Sequence, residues 1–386
     1  MDSKSRLSIK RLLNIPVADH NAFFLWGPRK TGKSTYLKQN FPHAHMIDFL
    51  DTARHHELQV YPNRLREQVL ANAYPLVIVD EVQKIPELLD EIHWCLENTA
   101  SKFILCGSSV RKLKHGAANL LGGRAWRYAM FPLTTQELGA VDLLQAFNHG
   151  LMPQHYMAAR PEKFLEAYVL DYLSEEIQAE ARLRNIKSFA EFLYSVAANH
   201  GQLLNYANVG RDCGVSPKTV RAYYQILEDT LLGFTLAPWT KSQKNRLIET
   251  AKFYLCDPGM VRALKGMNPV LPKTKEFGAA FEHFMINEVR AYLSYRQRRL
   301  ALSFWRTSTQ QEVDLIVGDM ALALEFKAFA NVHASDGQGL LALQRDQAVK
   351  RCLLVSLDTT RRQLDNGILV VPWRDFCAGL WQGEWV

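Results

Sequence analysis

Among the six cysteines, Cys95, Cys106, Cys213, Cys256, Cys352 and Cys377, there is no CxxC pair and no zinc-ligand spacing. This argues against a disulfide framework or structural zinc as the basis of the fold. The thiols read as reduced residues of a cytoplasmic protein. No apolar run approaches the roughly 18 residues that span a bilayer, so no membrane partner is expected. The early basic residues Lys4, Arg6, Lys10 and Arg11 precede an apolar stretch broken by Asp19, His20 and Asn21, which argues against a signal peptide. Internal repeats, low-complexity tracts and a basic tail are also lacking. Lys plus Arg number 46 against 39 Asp plus Glu, a formal charge of +7. So small an excess permits a nucleic-acid or phosphate partner without demanding one. What remains, 386 residues with 48% hydrophobic and 22% charged side chains, is ordinary globular material for two or three domains.

The first third alternates strand-like and helix-like segments. Apolar runs lie at Ala22–Trp26, His45–Phe49, Leu76–Val79 and Phe103–Cys106. Runs without polar alternation, separated by helical segments, predict a parallel sheet covered on both faces. At the end of the first run, Gly27, Pro28, Arg29, Lys30, Thr31, Gly32, Lys33 and Ser34 match G-x-x-x-x-G-K-[ST], with Thr35 following. Glycines at those positions let backbone N–H groups approach phosphates, and the next helix turns its positive end toward them. Lys33 supplies a cation for the β- and γ-phosphates, and Ser34 a hydroxyl for Mg²⁺. ATP with Mg is the cofactor this pattern calls for.

The third run ends in Asp80-Glu81. A carboxylate there suits Mg²⁺, and the adjacent Glu81 suits activation of water, so hydrolysis is expected rather than binding alone. Ser108, at the end of the fourth run, is placed to hydrogen-bond that water or the γ-phosphate. Arg124, after Gly122-Gly123, is a candidate to sense γ-phosphate in its own or a neighbouring subunit of a homo-oligomer; an ordinary surface arginine is the alternative.

From about Pro161 to Thr230 the periodicity is helical. Val209–Val220 reads as helix, turn, helix, with Gly214 in the turn, Ser216 as cap and Pro217 at the first helical position. Leu231–Trp239 and Lys252–Cys256 would form a hairpin, giving a winged-helix-like unit. Lys218, Arg221, Lys241, Lys244 and Arg246 suit DNA phosphates, although Glu228 and Asp229 weaken that face and such units also serve as spacers. After Asn268–Pro272, a helix is expected at Phe277–Tyr295 and strands at Leu300–Thr307, Glu312–Val317, Ala321–Phe329 and Cys352–Ser356, with Gly318-Asp319 as a hairpin turn. The expected divisions are 1–150, 151–269 and 270–386.

Taken in order, several segments resemble the bacterial and archaeal AAA-type ATPases that carry a DUF4143 region. They are Gly27–Thr35, Val79–Leu88, Leu105–Ser109, Gly122–Arg124, Phe131–Thr134, Val215–Val220 and Phe253–Gly259. The likeness runs from about Phe23 to Phe329. It implies an α/β P-loop ATPase domain, a helical winged-helix-like middle and an α/β nuclease-like C-terminal domain. In the last part Asp314, Glu325 and Lys327 follow D-x(10)-E-x-K, similar to the PD-(D/E)xK nuclease core, with Val313 in place of its Pro and Glu282 upstream on the helix. Two carboxylates on strands joined by a tight turn could share a second Mg or Mn, with Lys327 orienting water. The alternative is a plain Glu325–Lys327 ion pair. The expected function is therefore a Mg-dependent ATPase coupled to DNA binding or processing. An ATP-gated metal-dependent nuclease, or a nucleotide-controlled protein-binding switch with a vestigial nuclease-like domain, are the other readings.

Overall fold

The computed structural model describes residues 9–111, 121–169, 186–240 and 250–386. Lys241, Lys244 and Arg246 lie outside them. The four apolar runs of the first third are strands: β1 Ala22–Trp26, β2 His45–Asp48, β3 Leu76–Asp80 and β4 Lys102–Gly107. A fifth, β5 Trp126–Ala129, joins them in the order β2-β3-β4-β1-β5. All neighbours in this sheet are parallel. Every residue of β1 is buried, because apolar side chains cover the sheet on both faces. Apolar periodicity does not mark β5, since an edge strand needs no continuous apolar run; Trp126 is exposed and stacks on His20.

In the middle region the helix Tyr206–Asp212, a turn at Gly214 (φ +65°) and the helix Pro217–Asp229 follow one another. Ser216 caps the second helix by accepting from Thr219 N at 3.1 Å, and Pro217 occupies the first position. The hairpin β6 Gly233–Pro238 and β7 Lys252–Leu255 also forms. It does not stand apart as a wing. β6 runs parallel to β8 Leu302–Arg306, pairing Ala237 with Ser303 and Pro238 with Phe304.

The result is an eight-stranded sheet that crosses the expected division near residue 269. With β9 Glu312–Val317, β10 Leu322–Lys327, β11 Cys352–Ser356, β12 Arg362–Gln363 and β13 Leu369–Pro372, its order is β12-β13-β11-β10-β9-β8-β6-β7. The long helix Lys275–Tyr295 packs on one face. Its Phe281, Phe284, Met285 and Val289 share a core with Leu315, Leu324 and Val355 from the strands. Phe147, Leu151 and Tyr156 enter the same core, so the segment following the five-stranded sheet is folded into the C-terminal half.

Candidate functional site

The phosphate loop leaves the C-terminal end of β1. Gly27 is required there by space: a Cβ would sit 2.6 Å from the Met130 carbonyl oxygen. Gly32 has φ +90° immediately before the helix Lys33–Asn40, a conformation that costs other residues free energy. Lys33 is buried, and its Nζ donates to the Gly27 and Pro28 carbonyls at 2.7 and 3.0 Å. Burial lowers its pKa, opposed by Cys106, Glu81 and Asp80.

β3 does not neighbour β1; β4 lies between them. Asp80 nonetheless reaches the loop's helix, and Ser34 Oγ donates to Asp80 Oδ2 at 2.5 Å. Cys106 is directly opposite Asp80 on β4, and burial, with Asp80 next, keeps its thiol well above the usual range. Glu81 takes a left-handed backbone (φ 60°, ψ 41°) as β3 ends, a conformation that costs a non-glycine residue about 1 kcal/mol or more. The turn directs its carboxylate to Gln83, whose Nε2 donates to Glu81 Oε2 and also lies 3.2 Å from Ser108 Oγ. Ser108 Oγ in turn donates to the same Glu81 oxygen at 3.3 Å. Lys33, Ser34, Asp80, Glu81 and Ser108 are thus brought together at one end of the sheet. The hydroxyl–carboxylate pair beside a glycine loop with a buried lysine fits Mg²⁺-bound triphosphate.

Arg124 is not brought there. It precedes β5, whose Ala129 end, not its Trp126 end, lies beside the loop. At about 3.3 Å per residue, Arg124 is roughly 15 Å of strand away. Its guanidinium pairs with Glu97 at 2.8 Å in a half-exposed position. The direction of β5 thus sets Arg124 away from its own chain's phosphate loop.

Arg11 and Gln83 had no assigned role in the sequence. Arg11 Nη1 donates to the Thr31 carbonyl in the loop at 2.5 Å, and Nη2 to Phe131 O and Tyr295 Oη at 2.6 and 2.9 Å. Its Nε meets Glu137 Oε1 at 2.9 Å, both side chains being buried. Nothing local marks Arg11, because its partners are remote in sequence. Gln83 had a visible signal, two residues beyond Glu81.

In the middle region Lys218 and Arg221 are exposed on one helix, and Arg221 stacks on Tyr206 at 5.0 Å. Asp229 turns inward, its side chain 3.4 Å from Arg111 and its carbonyl accepting from Val110 N at 2.9 Å. This helix therefore docks on the chain leaving β4 just beyond Ser108.

The C-terminal acids also converge. Asp314 and Glu325 stand one step past the paired residues Leu315 and Leu324 of β9 and β10. Phe326 N donates to Asp314 Oδ2 at 2.8 Å and Lys327 Nζ to Glu325 Oε1 at 2.8 Å. Glu282 accepts from Tyr254 Oη at 2.5 Å. Burial, then Glu325 and Glu282, hold the Asp314 carboxyl well above the usual range; burial also raises Glu325 against the pull of Lys327.

A residue outside the expected set enters here. Lys252 Nζ, from β7, lies 2.5 Å from Glu312 Oε1 and 3.5 Å from Glu282 Oε1. Burial lowers its pKa, but Glu282, Asp314 and Glu312 outweigh that and raise it. Arg306 takes the other Glu312 oxygen at 3.0 Å. Glu325 Oε2 has no hydrogen-bond partner, yet among the described residues no three acid, histidine or cysteine side chains are arranged to hold a metal ion. This arrangement gives no support to a second Mg or Mn. Glu312 was legible in principle, since it shares a strand face with Asp314 two residues on.

Three family profiles match the chain in succession: an AAA domain over residues 19–139, a domain of unknown function (DUF8612) over 141–271, and a second (DUF4143) over 277–376. Two uncharacterized proteins, from Mycobacterium tuberculosis and Mycobacterium bovis, are each 25% identical over 358 residues, covering 90% of this chain and 79% of the relative. Among solved structures, a Walker-type ATPase of Pyrococcus abyssi is 15% identical, covers 64% of this chain and 92% of its own, and has a TM-score of 0.42. A signal transduction ATPase with numerous domains and a tetratricopeptide repeat sensor, from Pyrococcus horikoshii, is 13% identical, with 73% and 46% covered and a TM-score of 0.22.

Proposed function

Because an AAA domain profile matches residues 19–139 and a DUF4143 profile matches residues 277–376, we propose that the chain hydrolyses ATP at the end of β1, with Ser34 and Asp80 holding Mg²⁺ and Glu81 activating water. The observation that carries this is the 2.5 Å contact of Ser34 Oγ with Asp80 Oδ2 across an intervening strand. The Gly27–Thr35 backbone and Lys33 bind the phosphates. Mg²⁺, when held by Ser34 and Asp80, would neutralise their charge. Glu81, held by Gln83 and Ser108, accepts the water proton, and Ser108 orients that water.

Purified Lys33→Ala should lose ATP binding by calorimetry, whereas Glu81→Gln should bind ATP and stop turning over. Wild-type turnover by Glu81→Gln would remove the general-base role.

The turnover is coupled to DNA through the middle region. Support comes from the helix Pro217–Asp229, which exposes Lys218 and Arg221 while its far end bonds to Val110, two residues past Ser108. ATPase rates with single-stranded, duplex and branched DNA test this. No stimulation by any form, together with nucleotide-dependent capture of a protein, would favour the binding-switch reading. In a homo-oligomer Arg124 would serve a neighbour's nucleotide, and Arg124→Ala should then slow turnover only in the assembled state.

A further inference from the structure

We infer that Lys252 is the resident cation of the C-terminal acid cluster: its ammonium takes up Glu282 and Glu312, beside Asp314 and Glu325, and the cluster binds the β6–β7 hairpin to the sheet instead of binding metal. The cluster draws side chains from three places. Glu282 comes from the long helix, Glu312 and Asp314 from β9, and Glu325 with Lys327 from β10. Lys252 arrives from β7, at the opposite end of the strand order from β12. It is 5% exposed, and its Nζ also lies 5.3 Å over the Phe304 ring. Such burial of an ammonium is stable only with close anionic partners.

The charge balance argues the same way. Glu282, Glu312, Asp314 and Glu325 face Lys252, Lys327 and Arg306. Four carboxyls against three fixed cations leave little negative charge for a doubly charged ion. A divalent cation favours several oxygens on one point. Here Lys252 spans Glu282 and Glu312, and Lys327 holds one Glu325 oxygen. The ammonium also joins elements: β7 pairs only with β6 among the named strands, so Lys252 ties the outer hairpin directly to β9 and to the long helix.

The test is Mn²⁺ binding by the full chain, followed by loss of the free-ion EPR signal. Every sample carries Asp80→Asn, so that the phosphate-loop site contributes nothing. The parent should show no bound Mn²⁺ that Asp314→Asn removes. Lys252→Met should gain one Mn²⁺ per chain, tighter by about tenfold or more, and Asp314→Asn should abolish that gain. Lys252→Gln is the second variant, keeping a hydrogen bond to Glu312 if Lys252→Met does not fold; circular dichroism monitors both. The inference is overturned by a parent that already binds one Mn²⁺ through Asp314, or by a folded Lys252 variant that binds no more tightly than the parent.

Discussion

Arg11 donates to the carbonyl of Thr31 at 2.5 Å, and this single bond ties the phosphate loop to a residue that also grips the C-terminal half. The same guanidinium holds Phe131, Glu137 and Tyr295, so the loop, the segment after β5 and the long helix meet at one fork. Arg11→Ala should destabilise the chain by about 3–5 kcal/mol, because it leaves the Glu137 carboxylate buried without its counter-charge. Arg11→Lys retains charge but loses the fork geometry. It should weaken ATP binding by about tenfold with a much smaller fall in melting temperature. Unchanged ATP affinity in a folded Arg11→Lys protein would mean the loop does not depend on this contact.

Gln83 acts on the reaction through Glu81. It donates to the carboxylate and contacts Ser108, so Gln83→Ala leaves Glu81 held only by the longer Ser108 contact, with Lys33 and Ser34 in place. The expected result is a turnover number lowered by about tenfold or more with KM nearly unchanged. Steady-state kinetics separates this from a binding defect, in which KM would rise instead.

Gly27→Ala places a methyl 2.6 Å from the Met130 carbonyl. Neither backbone segment can yield cheaply, because Met130 N bonds to Trp26 O. A cost of about 1–3 kcal/mol is expected. Nucleotide binding by calorimetry should weaken, and ATP should raise the melting temperature less than in wild type.

Glu288 makes stability depend on pH. It accepts from Thr135 N at 3.1 Å and Trp381 Nε1 at 2.6 Å, joining the long helix to two others. Burial pushes its pKa up from 4.5 to about 7; the Thr135 and Trp381 donors oppose this and Glu137 adds to it. The Cys377 thiol is also close. Between these two values the folded state holds a proton that the unfolded state has released. Glu288 therefore stabilises fully below about 4.5, and its contribution is lost as pH rises through about 7. The loss is on the order of 3 kcal/mol. Denaturant titrations across this range should show a shallower decline with pH for Glu288→Gln than for wild type. An identical slope would rule out titration of Glu288 as its source.

Short-range patterns were legible without the fold. The apolar runs at Ala22, His45, Leu76 and Phe103, the glycine spacing from Gly27 to Gly32 and the Ser216-Pro217 helix start each act over a few residues, where steric and hydrogen-bonding rules are local. Asp80, Glu81 and Ser108 followed from their positions at strand ends. Tertiary structure alone decided the rest. Packing inserted β4 between β1 and β3, ran β5 in the direction that carries Arg124 away from the loop, and extended the C-terminal sheet through β6 and β7. Arg11 meets partners up to 284 positions away, and Lys252 enters an acid cluster built from residues on the long helix, β9 and β10. A buried charge is defined by what surrounds it, and those surroundings exist only once distant segments have packed.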